Sequence, residues 1–68
     1  MWIIIGRIGG GRGYVADVQR GQRVVWASAS DEALAFPSQE AAQQTIRAFF
    51  TGASVERNQI EVFEERGQ

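Results

Sequence analysis

The order of apolar and polar positions along the chain first predicts a β-strand. Residues Trp2 to Ile8 are almost continuously apolar and rich in β-branched side chains, which is typical of a strand that is buried on both faces or lies centrally in a sheet. The glycine-rich run at 9–13 is predicted to end this strand, because consecutive glycines lose too much backbone entropy to remain in a β-ladder. We therefore expect a flexible glycine connection after the first strand.

Two further β-branched and aromatic runs, Tyr14 to Val18 and Gln22 to Ala27, predict a hairpin around Gln19-Arg20-Gly21. A three-residue hairpin loop favours glycine at its third position, where the backbone is left-handed. The register that follows has three pairs, Tyr14 with Trp26, Ala16 with Val24, and Asp17 with Arg23 as opposite charges. It places one set of side chains on the same face, namely Tyr14, Ala16, Val18, Val24 and Trp26, and leaves Val15 and Val25 on the other.

The second half of the chain predicts a helix. The segment Ala29 to Pro37 is small and polar, with a single helical turn expected at Asp31 to Leu34 and with Phe36 returning to the core. Ser38 is placed as an N-cap, and Glu40 in the first turn suits the helix dipole. Apolar residues then recur at helical spacing, at Ala42, Ile46, Phe49, Phe50 and Ala53, and Gly52 is expected to cap the C-terminus.

A last strand is expected after a loop over Thr51 to Asn58. The run Gln59 to Glu65 alternates, with Ile60 and Val62 on one face and Glu61, Phe63 and Glu65 on the other. The order βββαβ indicates an α+β fold, a small antiparallel sheet of about four strands with one helix packed on one face. We expect residues 1–68 to form a single compact domain.

One helix covers only one face of such a sheet, so the other face needs a cover. That face would combine apolar side chains with charged ones. Its apolar residues would be Val15, Val25, Phe63 and part of the run Trp2 to Ile5, and its charged residues Asp17, Arg23 and Glu61. A second copy of the chain, a partner protein, or the termini and the glycine loop would each serve.

The amino-acid composition excludes several classes of catalytic mechanism. The chain has no cysteine, histidine or lysine, which excludes disulfides, Cys/His metal sites and nucleophiles that depend on those residues. The adjacent acids Glu64 and Glu65 point to opposite faces of a strand, so they do not converge on one proton or one metal. We therefore expect no enzymatic activity, no metal and no cofactor.

The net charge of −1 conceals an asymmetry. Residues 1–30 hold four arginines and one acid, a charge of +3, and residues 31–68 hold three arginines and seven acids, a charge of −4. Such a split produces a basic edge and an acidic edge that steer charged partners. The acidic last strand and its surroundings are the expected partner-binding residues, namely Glu56, Glu61, Phe63, Glu64 and Glu65.

Two features of the sequence are compatible with nucleotide or nucleic-acid binding, but neither meets the requirements of such a site. Gly11 to Ala16 fits the letters G-x-G-x-x-A, but a dinucleotide loop must lead into a helix and here a strand follows. A nucleic-acid contact on an open sheet face would use Arg7, Arg12, Arg20 and Arg23. Four dispersed arginines form a thin phosphate track in a chain that is net acidic, so nucleic acid is not the expected partner.

No segment predicts membrane insertion. The apolar run Trp2 to Ile5 is far shorter than the roughly 20 residues of a membrane span, and it has no basic flank or cleavage site typical of a signal peptide. We expect a cytoplasmic location, which is the host bacterial cytoplasm if the chain is encoded by a phage.

A resemblance covers about half of the chain. A hairpin strand with Val24-Val25-Trp26 is followed by Asp31-Glu32-Ala33-Leu34-Ala35-Phe36-Pro37-Ser38-Gln39-Glu40-Ala41-Ala42. This arrangement resembles short uncharacterised phage, prophage and plasmid proteins in which a D-E-A-L-x-F-x-S-x-E-E-A segment opens a helix. Ala41 stands where a second acid is common in that pattern. In size, acidity and lack of catalytic residues the chain also looks like the anti-CRISPR proteins with which phages block bacterial effector complexes.

These observations favour a small non-enzymatic protein-binding module from a mobile element. It would inhibit a host defence complex, such as an effector complex that binds nucleic acid, through the acidic strand and the uncovered sheet face. Two alternatives stay open. One is a homodimeric accessory or structural protein that pairs through the sheet face, and the other is a nucleic-acid binder that uses the four arginines of the first half.

Overall fold

The computed structural model describes residues 1–19 and 23–65. Within these residues the chain forms a four-stranded antiparallel sheet and two helices. Its elements are β1 (Trp2–Ile8), β2 (Gly11–Gln19), β3 (Arg23–Ala27), a short 3₁₀ turn (Ser30–Glu32), α1 (Gln39–Phe49), α2 (Gly52–Asn58) and β4 (Glu61–Glu64). The strand order is β3-β2-β1-β4, so β3 and β4 are the edges. The expected α+β class and the four-stranded antiparallel sheet are confirmed.

Strands β1 and β2 are joined by a tight two-residue turn. Ile8 pairs with Gly11, and the two residues between them, Gly9 and Gly10, have φ angles of +59° and +86°. Positive φ at both central positions is the requirement of a type I′ hairpin turn, which glycine meets without strain. The prediction that all of 9–13 lies outside the ladder is wrong, because Gly11 and Gly13 are residues of β2.

The register of β2 with β3 differs from the predicted one. Tyr14 pairs with Ala27 and Val15 with Trp26, after which the ladder shifts so that Asp17 pairs with Val25. Ala16 is therefore the additional residue of a β-bulge, which re-aims the side chains that follow it.

Three predictions about this hairpin are corrected as a result. Arg23 pairs with Gln19 and not with Asp17, whose carboxylate instead accepts from the N–H of Val18 at 2.9 Å. Val15 is fully buried and packs in the core, not on the opposite face. Gln19 belongs to β2, and the remainder of the predicted loop, together with Gln22, lies outside the described residues.

Strands β1 and β2 are not paired at the Trp2 end of β1, and the segment 34–36 lies between them there. Leu34 donates its N–H to the carbonyl of Val15 at 2.8 Å, while Phe36 and Trp2 exchange two backbone hydrogen bonds of 2.8 and 3.1 Å. The segment thus satisfies backbone groups that the diverging strands leave free. Phe36 packs against the core, as predicted.

Both helices begin at a side-chain cap. Ser38 Oγ accepts from the N–H of Ala41 at 3.1 Å and opens α1, which confirms the predicted N-cap. The helix ends at Phe49, and Thr51 Oγ1 then accepts from the N–H of Ser54 at 3.1 Å and opens α2. The expected loop over Thr51 to Asn58 is wrong, because this cap starts a second helix in which Gly52 is the first residue and not a C-terminal cap.

Both helices pack on the same face of the sheet. Their contributions to the core are Ala42 and Ile46 from α1 and Val55 from α2. These side chains meet the sheet at a common cluster, which contains Ile4, Val15, Val18, Val24, Trp26, Ile60 and Val62. Ala53, expected on the apolar stripe, is exposed because the chain starts a new helix before it. We call the opposite side of the sheet the outer face.

Candidate functional site

Strand β4 carries an exposed aromatic side chain between acids. Its backbone alternation sends Val62 to the helix side, where it packs against the core, and sends Glu61 and Phe63 to the outer face. Phe63 is 52% exposed, and both Glu61 and Glu64 are exposed. Because β4 is an edge strand, one of its two long sides has no strand beside it in the sheet order. A large apolar side chain therefore stands exposed on a sheet edge, flanked by negative charge.

The five residues predicted to bind a partner do not all meet. Glu61 and Phe63 share the outer face, and Glu65 follows the strand with its N–H bonded to the Met1 carbonyl at 2.9 Å. Glu64 has the opposite orientation from Phe63 by strand alternation. Glu56 lies on α2, in the layer on the other side of the sheet. The structure thus reduces the predicted surface to β4 and the residue after it.

The outer face is not uniformly open. Ile3 is the direct partner of Phe63 and lies on that face, yet it is only 1% exposed and is not part of the core cluster under the helices. Val25 is 41% exposed, but it lies on β3, at the opposite edge from Phe63. The predicted uncovered face is therefore covered at Ile3, and two of its exposed apolar side chains, Val25 and Phe63, lie at opposite edges.

Arg7 and Arg12 form a basic pair at one end of the outer face. They are direct partners in the ladder of β1 with β2, and both are exposed. They line a hollow of 140 Å³ together with Ile5, Gly6, Gln59 and Glu61. The Glu61 side chain therefore borders the same hollow as two arginines. The negative charge of β4 is consequently concentrated at its other end, at Glu64 and the following Glu65.

The arginines of the first half do not form a continuous track. Arg12 stands near the start of β2, whereas Arg23 pairs with Gln19 at its end. Seven residues of strand correspond to about 23 Å at 3.3 Å per residue. Arg20 lies outside the described residues. This spacing gives a phosphate backbone two separate contacts and no line of charge between them.

A second hollow, of 230 Å³, was not predicted from the sequence. It is lined by Ile8, Arg12, Gly13, Trp26, Ala27 and Ser28. At its wall Gly13 lies close to two side chains, since a Cβ at Gly13 would stand 3.0 Å from Ile8 Cγ1 and 3.1 Å from Trp26 Cε3. A glycine that faces an aromatic side chain across strands is the signal for it, but that contact requires the register of β2 with β3, which the bulge changes.

Within residues 1–19 and 23–65, no group of three or more acids is arranged to hold a metal ion. None of the helices in this part of the chain has the length and apolar character needed to cross a membrane.

Over the part of the chain that the structure describes, the fold has two layers, a sheet and two helices that pack on one of its faces. The chain matches no protein-family model, and no curated protein and no solved structure is significantly similar to it. The resemblance to phage and plasmid proteins therefore stays a prediction, and function must be argued from the surface itself.

Proposed function

We propose that this protein is a non-enzymatic binding module that engages a protein partner through β4. The observation that supports this most directly is Phe63, 52% exposed on an edge strand beside the exposed Glu61 and Glu64. Aromatic side chains are enriched in protein interfaces, and an exposed edge strand is a liability unless it is protected or used. In a chain of 68 residues whose core is small, leaving a phenylalanine half outside forgoes burial energy that the fold needs.

The acids of β4 disfavour a second copy as the occupant of this edge. In an antiparallel pair of β4 strands from two copies, residues of the same face lie opposite each other, so that in the register centred on Phe63 Glu61 of one copy lies opposite Glu65 of the other at both ends. Like charges directly opposite each other destabilise a strand pair, by roughly 0.2 to 1 kcal/mol for each pair. A self-paired dimer through this edge is thus opposed, whereas a partner with basic side chains is favoured.

The partner surface that best matches these features is basic. Grooves that hold nucleic acid are the strongly positive surfaces of a cell, and the likeness in kind to anti-CRISPR proteins suggests such a groove in a bacterial defence complex. Under this proposal the protein acts as an inhibitor by occupying the groove. Catalysis has no part in it.

The test is retention of proteins from a bacterial lysate by four immobilised forms of the chain. Two carry changes on β4, Phe63→Ser and the double variant E61R/E64R. The matched control is D31R/E32R, which reverses the same number of exposed acids on the 3₁₀ turn. Circular dichroism verifies that each variant folds.

We expect one protein or complex to be retained by the wild type and by D31R/E32R, and to be lost from both β4 variants. Its retention should weaken with salt, because an attraction between exposed charges is screened. Equal retention by all four forms, or no specific retention by the wild type, would contradict the proposal.

A further inference from the structure

The backbone of β4 has a side on which hydrogen-bonding groups are free, and the pairing shows which residues supply them. In an antiparallel ladder, pairs that exchange two hydrogen bonds alternate with pairs that exchange none. Glu65 donates its N–H to Met1 at 2.9 Å, so the pair of residues 65 and 1 is a hydrogen-bonded one. By alternation the pair Phe63 and Ile3 is also bonded, and the pairs Glu64 with Trp2 and Val62 with Ile4 are not.

A second observation gives the same assignment. Trp2 uses both its N–H and its carbonyl on Phe36, which lies on the side of β1 away from β4. Trp2 therefore directs neither group toward Glu64. It follows that the N–H and carbonyl groups of Glu64, and those of Val62 two residues before it, point away from β1 to the open edge.

We propose that the partner of this protein adds an extended segment as a fifth strand along β4, hydrogen-bonded to the backbone of Val62 and Glu64. This inference rests on the proposed function and specifies its mode of binding. The added strand would form four backbone hydrogen bonds with these two residues. Its side chains on the outer face of the sheet would lie beside Glu61 and Phe63. A partner that contacts only side chains would leave the N–H and carbonyl groups of Val62 and Glu64 hydrogen-bonded to water.

Charge and packing indicate the chemistry of the added segment. The carboxylates of Glu64 and Glu65 favour arginine or lysine at that end, while Arg7 and Arg12 outnumber Glu61 and give the other end a charge of +1. Phe63 provides an apolar contact for an aliphatic or aromatic side chain between them. The other edge strand, β3, begins with the exposed Arg23 and not with acids, so a basic segment is matched by β4 and not by β3.

The experiment uses two synthetic peptides of equal length, one of alternating arginine and valine and one of alternating aspartate and valine. Each is added to the isotopically labelled full chain, and amide hydrogen exchange is followed by NMR. With the basic peptide we expect exchange at Val62 and Glu64 to slow at least about tenfold, with little change at Phe63, whose N–H is already bonded to β1. The acidic peptide should leave all three unchanged.

A pair of variants at one position isolates the backbone contribution. Glu64→Pro and Glu64→Gln both remove the negative charge, but only the first removes the N–H that points to the open edge. Proline is tolerated on an edge strand where its missing N–H faces outward, so the fold should persist in both. We expect Glu64→Gln to weaken binding of the basic peptide a few-fold and Glu64→Pro to weaken it at least about tenfold more.

The inference is overturned if the basic peptide does not bind, if it binds without slowing exchange at Val62 and Glu64, or if the two Glu64 variants bind it equally. These outcomes are distinct from failure of the proposed function. A lysate partner that is lost with Phe63→Ser but retained equally by Glu64→Pro and Glu64→Gln would leave the surface correct and the added strand wrong.

Discussion

Gly6 and Gly13 are direct partners in the ladder between β1 and β2, and the Trp26 ring lies over both of them. A Cβ on Gly6 would stand 3.0 Å from Trp26 Cη2, and one on Gly13 would stand 3.1 Å from Trp26 Cε3. The same ring makes an edge-to-face contact with Phe50 at the end of α1, with ring centroids 6.0 Å apart. Because neither glycine has a side chain, the Trp26 ring of β3 packs directly over them and contacts Phe50 in the helix layer.

Adding a methyl group at Gly6 should destabilise the fold. Its Cβ would also lie 2.7 Å from Ile60 Cδ1, and Ile60 is only 7% exposed. Overpacking of this kind costs about 1 to 3 kcal/mol. For Gly13→Ala we expect a smaller loss, because the Ile8 side chain it meets is 41% exposed and has room to shift.

Gly52→Ala is the control for these variants, since no atom lies within 4 Å of the added Cβ at the start of α2. It should stabilise the protein by up to about 1 kcal/mol, because the unfolded chain loses freedom. Urea unfolding of the three variants measures the order. A Gly6→Ala protein as stable as Gly52→Ala would show that Trp26 does not lie over this pair.

The β1–β2 turn requires positive φ at both of its central residues. Gly10→Ala should therefore destabilise by roughly 1 to 2 kcal/mol, which is the penalty for an ordinary residue in the left-handed region. Gly9→Asn should be tolerated, because asparagine is favoured at the first central position of a type I′ turn. Thermal unfolding followed by circular dichroism compares the two, and equal losses would exclude this turn type.

Ile3 tests how far the outer face is covered, and Ile8, on the other face of the same strand, is an exposed isoleucine for comparison. Both are isoleucines of β1, but Ile3 is 1% exposed and Ile8 is 41% exposed. Truncation of a buried isoleucine to alanine costs about 2 to 5 kcal/mol, so Ile3→Ala should approach the limit of what this small domain tolerates. Ile8→Ala should cost well under half as much. Similar unfolding midpoints for the two would mean that the outer face at Ile3 is open.

The two helix caps should contribute about equally. Ser38→Ala and Thr51→Ala each remove a side-chain oxygen that accepts from a backbone N–H at 3.1 Å, a loss of about 1 kcal/mol. Ser38→Asp should retain stability, because aspartate caps equally well. Chemical denaturation distinguishes these variants. If Thr51→Ala had no effect, α2 would not depend on its own cap.

Gln59 is the last test, because it has a φ of +52° between α2 and β4. Glutamine is strained there and glycine is not, so Gln59→Gly should stabilise by about 1 kcal/mol. Calorimetric unfolding measures the change. A loss of stability would indicate that the Gln59 side chain, which lines the 140 Å³ hollow, makes a contact worth more than the strain.

Local patterns predicted much of this fold. The continuous apolar run predicted β1 with its bounds, Ser38 predicted the start of α1, and alternation predicted that Ile60 and Val62 face the core while Glu61 and Phe63 do not. Each of these depends on neighbours close in sequence. The register of the second hairpin was wrong, because the ladder shifts at Ala16 and thereby places both Val15 and Val18 in the core cluster, which strict alternation along the strand does not allow.

The candidate site was only partly predictable for the same reason. The sequence identified Phe63 and its flanking acids as a partner-facing strip, and their exposure is as expected. It also grouped Glu56 with them, because a loop was expected where Thr51 caps a helix and moves that carboxylate into the other layer.

By itself the sequence determined the class of the fold, the absence of cysteine, histidine and lysine, and the strand that exposes an aromatic side chain among acids, since these follow from residue types and from periods of two and 3.6. Only the tertiary structure decided that β4 is an edge, that Trp2 turns its backbone toward Phe36, and that Val62 and Glu64 therefore direct free hydrogen-bonding groups outward. Strand order and the direction of a backbone bond depend on contacts between residues far apart in the chain, and no local pattern carries that information.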